Sequence, residues 1–334
     1  MYDDHDFRFN DSNGHFPLKD RTKNLFLDFL SFPKNSELRL ENRGIYTTYS
    51  FGDVNSHKTV RYILLDTRYY KTSNLIENPD ILGEEQWTWL ENVLQAASET
   101  FIFICSGTQI LPHDRFITEA WFSNSRKRLF QLIGKYRKSG IILLTGDIHS
   151  SQILKTFCVM SNIGYDIYEI TSSGLTHYNL YGAEILFDYI LPNRYEILPT
   201  INDINFGKVE FNWNNDKMDS SIFISIIDYN KVIRSGLNIY YKDLVYNKEK
   251  VKKSDVHCFF KVISRFKTFN DYFYYYTEDY IRLGALALYA LLLYFIYNLS
   301  KLIIRLSIFF IDYFRNILFI LMILLIFSYR ENLK

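Results

Sequence analysis

The stretch IILLTGDIH, at residues 141–149, decides the fold class. Its first five residues are apolar or β-branched, which predicts a short strand buried on both faces. Two further runs have the same form and also end in polar residues, YILLDTR at 62–68 and FIFICSG at 101–107. Amphipathic helical patterns stand between these runs, at 82–97 and 125–140. The alternation predicts an α/β fold with an open sheet, whose functional residues gather at the strand ends.

A second group of strands follows later in the chain. The runs KVEFNW at 208–213, SSIFISIID at 220–228 and GLNIYY at 236–241 are separated by turn-forming residues, which predicts antiparallel strands. We therefore assign residues 1–245 to one globular domain and the Lys-rich and aromatic residues 246–280 to a linker.

The composition excludes several classes of protein. The 334 residues are 48% hydrophobic and 22% charged, so the chain is not globally disordered. The net charge of +1 gives no case for a nucleic-acid partner. The three cysteines, Cys105, Cys158 and Cys258, lie far apart and form no metal-binding or disulfide pattern.

The C-terminal residues 281–330 are predicted to be a membrane-spanning tail. Leu283–Ser300 contains no charged residue in 18 positions, which is just enough helix to cross a hydrocarbon core of about 30 Å. A second apolar stretch at 306–329 is interrupted by Asp312 and Arg315. The sequence is compatible with a single span and with a hairpin of two spans connected at Lys301–Arg305. Two buried core helices are the other interpretation, but Leu283–Leu299 has no polar face.

The first cluster that carries chemistry is Asp3-Asp4-His5-Asp6. Three carboxylates so close together repel one another unless a cation compensates for their charge. Hard oxygen ligands with an imidazole suit iron, manganese, zinc or calcium. The other interpretation is a frayed acidic terminus.

Three further clusters lie near the predicted strand ends. In the first, Asp147 and His149 can both reach a metal from one loop, or they are a helix cap and a surface residue. The second, 169–177, is a hydroxyl-rich turn ending in His177. In the third, Asp66 and Arg68 are expected to form a buried ion pair that braces the sheet behind the metals.

In their order along the chain, these motifs resemble the alkaline phosphatase D family, the PhoD-like phosphatases. The matching segments are DDHDFRFND at 3–11, Asp66-Thr-Arg68, LGEEQWTWL at 82–90, Ser106-Gly-Thr-Gln109, the GD-x-H motif at 146–149, TSSGLTH at 171–177 and NFG at 205–207. Seven matching pieces in the right order are a specific signal.

The resemblance implies an αββα-sandwich metallophosphatase domain followed by one or two transmembrane helices. It implies hydrolysis of phosphate mono- or diesters through a metal-activated hydroxide, with iron and calcium as the expected metals. The implied metal ligands are Asp4, His5, Asp147 and His149, and the implied catalytic residues are Asp4, His5, Arg68 and His177. Gln109 is expected to support the phosphate side. Expected partners are a phosphate ester and membrane lipid, with the domain extracytoplasmic or lumenal.

Two departures from the family pattern bear on function. Arg8 stands where the family has glycine after its acidic motif, and a further Asp-rich metal motif is expected upstream of residue 3. The chain is therefore expected to be the C-terminal part of a longer catalytic domain. The alternative function is a catalytically inactive, membrane-tethered remnant that acts in binding or scaffolding.

Overall fold

A computed structural model describes residues 1–9, 11–73, 76–112, 120–156, 163–179, 195–252 and 271–331. Contacts divide the chain into two compact units, Met1–Asp271 and Tyr272–Lys334. The predicted His and Cys positions 113, 158, 257 and 258 lie outside the described residues.

Six strands of the first unit form a mixed sheet in the order β1-β2-β3-β4-β6-β5. Their bounds are Thr47–Asp53 (β1), Lys58–Leu64 (β2), Phe101–Cys105 (β3), Ile141–Thr145 (β4), Ser151–Lys155 (β5) and Tyr168–Ser172 (β6). The neighbours β2, β3, β4 and β6 are parallel, and β1 and β5 pair antiparallel at the two edges. The carboxyl ends of the four parallel strands therefore meet at one edge of the sheet.

Helices cover one face of this sheet. The described helices of the first unit are α1 (Asp4–Phe7), α2 (Lys19–Phe29), α3 (Glu37–Leu40), α4 (Gly83–Ala96), α5 (Ser123–Lys135) and a short helix at Lys248–Lys252. Since α4 joins β2 to β3 and α5 joins β3 to β4, right-handed crossovers place both on the same face. The buried Trp87 of α4 meets Trp121 edge to face, with ring centroids 6.2 Å apart.

A second, three-stranded sheet covers the other face. Its strands β7 (Asn205–Asn212), β8 (Ser221–Asp228) and β9 (Ile233–Tyr240) are antiparallel, as predicted. Phe101 and Phe103 of β3 contact Phe211 of β7, so the two sheets pack face to face around one core. This is a mixed α/β fold with a helix layer and two sheet layers. The outer helix layer of an αββα sandwich is not seen among the residues described above.

The N-terminal segment forms a smaller core of its own. Tyr2 and Phe7 are fully buried against Leu27, Leu38 and Ile45. The aromatic rings of Tyr2 and Phe7 lie 5.3 Å apart. The interpretation of a frayed acidic terminus is therefore wrong, because the residues on both sides of the carboxylates are packed.

The second unit is one long helix, Asp271–Glu331. By length and composition alone, Ala287–Met322 qualifies as a segment able to cross a membrane. The helix continues without a turn through Lys301–Arg305, so the connector expected for a two-span hairpin is not formed. The predicted domain boundaries at residues 245 and 280 stay predictions.

Candidate metal centre

Three carboxylates converge at the carboxyl edge of the parallel strands. Asp3 precedes α1, Asp4 begins α1, and Asp147 follows β4 by two residues. One oxygen from each lies within 4.8 Å of the other two, a spacing at which one cation can contact all three.

The position of Asp4 is set by the backbone around it. Its side chain is 4% exposed. One carboxylate oxygen accepts the N–H of Asp11 at 2.9 Å, and the other accepts the N–H of His5 at 2.7 Å. Because these donors use part of each oxygen, Asp4 is oriented while capacity for a ligand remains.

Asp3 is held by an arginine from the end of β2. The Nε atom of Arg68 donates to an Asp3 oxygen at 2.8 Å, Nη2 forms an ion pair with the same oxygen at 2.6 Å, and the Arg68 side chain is fully buried. The expected Asp66–Arg68 pair is not what organises this turn. The Asp66 carboxylate instead accepts the Tyr2 hydroxyl at 2.8 Å and the backbone N–H groups of Arg68 and Tyr69.

The loop after β4 has a strained backbone. Asp147 and His149 both have positive φ, 76° and 53°, a region that residues with a Cβ rarely adopt. Such strain persists where the surroundings hold it, often at functional sites. A glycine is also required nearby, because a Cβ at Gly107 would lie 2.8 Å from an oxygen of Asp3.

The electrostatics of the cluster are unbalanced. Burial, then the charge of Asp3, raises the pKa of Asp147 to about 7. Burial also raises the pKa of Asp3, although Arg68 opposes that shift. Among the described residues, no hydrogen-bond donor reaches the Asp147 carboxylate. Three carboxylates held close together against their mutual repulsion fit a hard cation that prefers oxygen ligands.

The predicted histidines lie outside the three-carboxylate group. His5, His149 and His177 are all exposed. The ring centroids of His149 and His177 are 6.0 Å apart, and the backbone N–H of His149 donates to the Ser173 hydroxyl. The loop after β4 and the segment after β6 therefore lie side by side. Asp3 was not among the metal ligands predicted from the sequence, although it belongs to the acidic run. Its position next to Asp4 was the one feature of the sequence that pointed to it.

A second polar cluster lies beneath this edge and is fully buried. Glu169 of β6 accepts the backbone N–H groups of Ile110 and Leu111 at 2.8 and 2.7 Å and the Thr145 hydroxyl at 2.8 Å. Gln109, expected on the phosphate side, instead donates from its buried side chain to Thr171 at 2.8 Å. This network anchors the segment after β3.

Comparison with known protein families identifies the family of this chain. The family model of the PhoD-like phosphatases matches residues 4–220, which is more than half of the chain and includes Asp4 and Asp147 but not Asp3. The chain belongs to the PhoD-like phosphatase family. The resemblance predicted from the seven motifs is thereby confirmed. The family region ends at residue 220, within the second sheet and before the C-terminal helix.

Similarity to solved structures was also found. The chain is similar to a structure described as "Structure of PhoD", with 15% identity and a TM-score of 0.47, over 72% of this chain and 54% of that chain. This chain thus spans about half the length of that one. No curated protein matches it significantly.

Proposed function

We propose that this PhoD-like chain hydrolyses phosphate mono- or diesters at the cleft that holds Asp3, Asp4 and Asp147. The observation that carries the proposal is the approach of three carboxylates to within 4.8 Å at the edge where an open α/β sheet places its sites. Two of the three, Asp4 and Asp147, fall within the family match.

Asp4 and Asp147 would hold a cation together with Asp3. When bound there, a hard cation supplies positive charge to phosphate oxygens and lowers the pKa of coordinated water. Iron and calcium are the ions we propose, since both accept carboxylate ligands. His5 and His149, the other proposed ligands, have exposed side chains outside the three-carboxylate group.

Two further residues are proposed to act beside the metal: Arg68 as a fixed positive charge and His177 in proton transfer. Arg68 is fixed on Asp3 by two short contacts, so its guanidinium is a rigid positive group beside the cleft. His177 hydrogen-bonds through Nδ1 to the Thr176 hydroxyl at 2.8 Å, which restrains its ring. We assign proton exchange with the leaving alcohol to His177, because an imidazole can both accept and donate a proton.

The C-terminal helix supports a membrane location for this activity. The segment Ala287–Met322 meets the length and composition requirement of a span, and we propose that it anchors the phosphatase to lipid. The catalytic unit would then face the lumen or the cell exterior, as the family resemblance implies. Resistance of the full chain to alkaline carbonate extraction tests the anchor.

The activity is tested on the full chain in detergent. We expect the chain to release p-nitrophenol from p-nitrophenyl phosphate or from bis(p-nitrophenyl) phosphate. A chelator should abolish this activity, and added calcium and iron should restore it. Metal content measured by mass spectrometry should fall in Asp147→Asn and not in the exposed control Asp243→Asn. A chain that binds no metal and hydrolyses neither ester would support the non-catalytic binding function instead.

A further inference from the structure

A cavity opens between the two sheets beside the acidic cluster. Its volume is about 410 Å³, within the range of small-molecule sites. Asp3 and Asp147 line one part of it, so it is continuous with the candidate metal centre. Its lining also includes three glycines, Gly107, Gly146 and Gly207, which have no side chains to occupy the cavity.

Two facing rows of apolar side chains line another part of the cavity. Cys105, Leu144 and Ile170 are neighbours in register on β3, β4 and β6, so they form one row across the six-stranded sheet. Val209 and Ile224 pair in register on β7 and β8 and form the opposite wall. Ile170 and Ile224 are buried, at 3% and 0% exposure.

Two of the hydroxyl groups beside these rows are already engaged in hydrogen bonds. The Thr145 hydroxyl bonds to Glu169 and Thr171, each at 2.8 Å. The Ser106 hydroxyl donates to the Thr108 carbonyl at 2.7 Å and accepts the Trp121 indole N–H at 2.9 Å. Thr145 and Ser106 therefore cannot replace the hydrogen bonds to water that a sugar or nucleoside would lose against these rows, whereas an alkyl group would lose none.

We infer that this cavity receives the aliphatic part of the alcohol in a phosphate ester whose phosphate lies at Asp3 and Asp147. The inference rests on the proposed function and adds a substrate class to it. Burial of each methylene between the two rows should favour the longer ester, because apolar surface leaves water.

The test compares methyl, butyl and hexyl phosphate as substrates of the full chain in detergent. We expect kcat/KM to rise about threefold per methylene until the cavity is filled. Val209→Phe fills the cavity and should remove most of the hexyl-to-methyl ratio. Val232→Phe adds the same volume at an exposed turn position and should leave that ratio as in the unmodified chain. Equal kcat/KM across the three esters would overturn the inference while leaving the proposed function intact.

A binding measurement separates the two proposals. Hexylphosphonate and methylphosphonate are not hydrolysed, and their affinities are measured by calorimetry with calcium present. Tighter binding of hexylphosphonate, weakened by Val209→Phe, supports the cavity even if no ester releases phosphate, a result that would remove only the proposed function. Equal affinity for the two phosphonates overturns the cavity inference.

Discussion

The buried Glu169 of β6 and the carboxylate cluster of Asp3, Asp4 and Asp147 at the edge of the same sheet differ in how their negative charge is compensated. Glu169 is buried with donors on both of its oxygens, two from backbone N–H groups and one from Thr145. Asp147 has no donor among the described residues and lies within 4.8 Å of two other carboxylates. The protein itself satisfies the first group, whereas the second is left with negative charge to be compensated.

This difference indicates a structural role for Glu169 and agrees with the metal-binding role that we propose for Asp147. A buried carboxylate surrounded by donors stabilises the loop that supplies those donors. Carboxylates that face one another destabilise the fold unless a cation is present. Stability and activity should therefore respond in opposite ways to substitution in the two groups.

The largest effect is expected at Asp147. Asp147→Asn removes one charge from the cluster while keeping the side-chain size, so cation binding should weaken and kcat/KM should fall at least about 100-fold. Steady-state hydrolysis of p-nitrophenyl phosphate measures the loss. Asp243→Asn, an exposed control, should retain activity. Full activity in Asp147→Asn would remove Asp147 from the site.

The next effect is expected on stability, at Glu169. Glu169→Gln replaces an acceptor of three hydrogen bonds with a group that cannot satisfy both backbone donors, so the free energy of unfolding should fall by about 1–3 kcal/mol. Urea unfolding measures this change. The control Glu210→Gln removes only an exposed pair with Lys208 and should change stability by less than about 1 kcal/mol. If the two variants were equally stable, the contrast between the acidic groups would fail.

A smaller effect is expected at Arg68. Arg68→Lys keeps the positive charge but loses the paired contact of Nε and Nη2 with Asp3, so kcat/KM should fall about tenfold. The matched control is Arg128→Lys, which alters an exposed two-nitrogen contact with Glu84 away from the cleft. A tenfold loss in both variants would show a general effect of replacing arginine.

The smallest effect is a pH dependence of stability in the presence of chelator. The folded pKa of Asp147, about 7, lies above its ordinary value of 3.8. Its contribution to stability is therefore full below pH 3.8 and is lost as the pH rises through about 7. Metal-free Asp147→Asn should melt a few degrees above the unmodified chain at pH 8 and close to it at about pH 3.5. A constant difference at both pH values would contradict the raised pKa.

Much of the fold could be predicted from local pattern. The apolar runs at 101–107 and 141–147 became β3 and β4, and the helical pattern at 82–97 became α4. The run at 62–68 was predicted to be a buried strand ending in polar groups, and β2 ends at Leu64, just before them. From Asp66 onward the backbone turns, because its N–H groups donate to the Asp66 carboxylate. The edge strands β1 and β5 were not predicted, since their polar residues do not alternate clearly.

The candidate site was predicted in part. The motifs led to Asp4 and Asp147, which the structure places in one cluster. They also led to His5, whose side chain is exposed outside that cluster. The choice between Asp3 and His5 depends on which way each side chain points around the start of α1, and neighbouring residues in one acidic run carry no such information.

The sequence by itself determined the family, the order of buried strands and the acidic loops that follow them, because apolar runs and motif spacing are local properties of the chain. Tertiary structure decided which acid is satisfied and which is left open. Glu169 and Asp147 are the same kind of group in the sequence, and they differ only in the donors that distant segments bring to them. That distribution of donors follows from strand order and sheet register, which arise only when the strands pair.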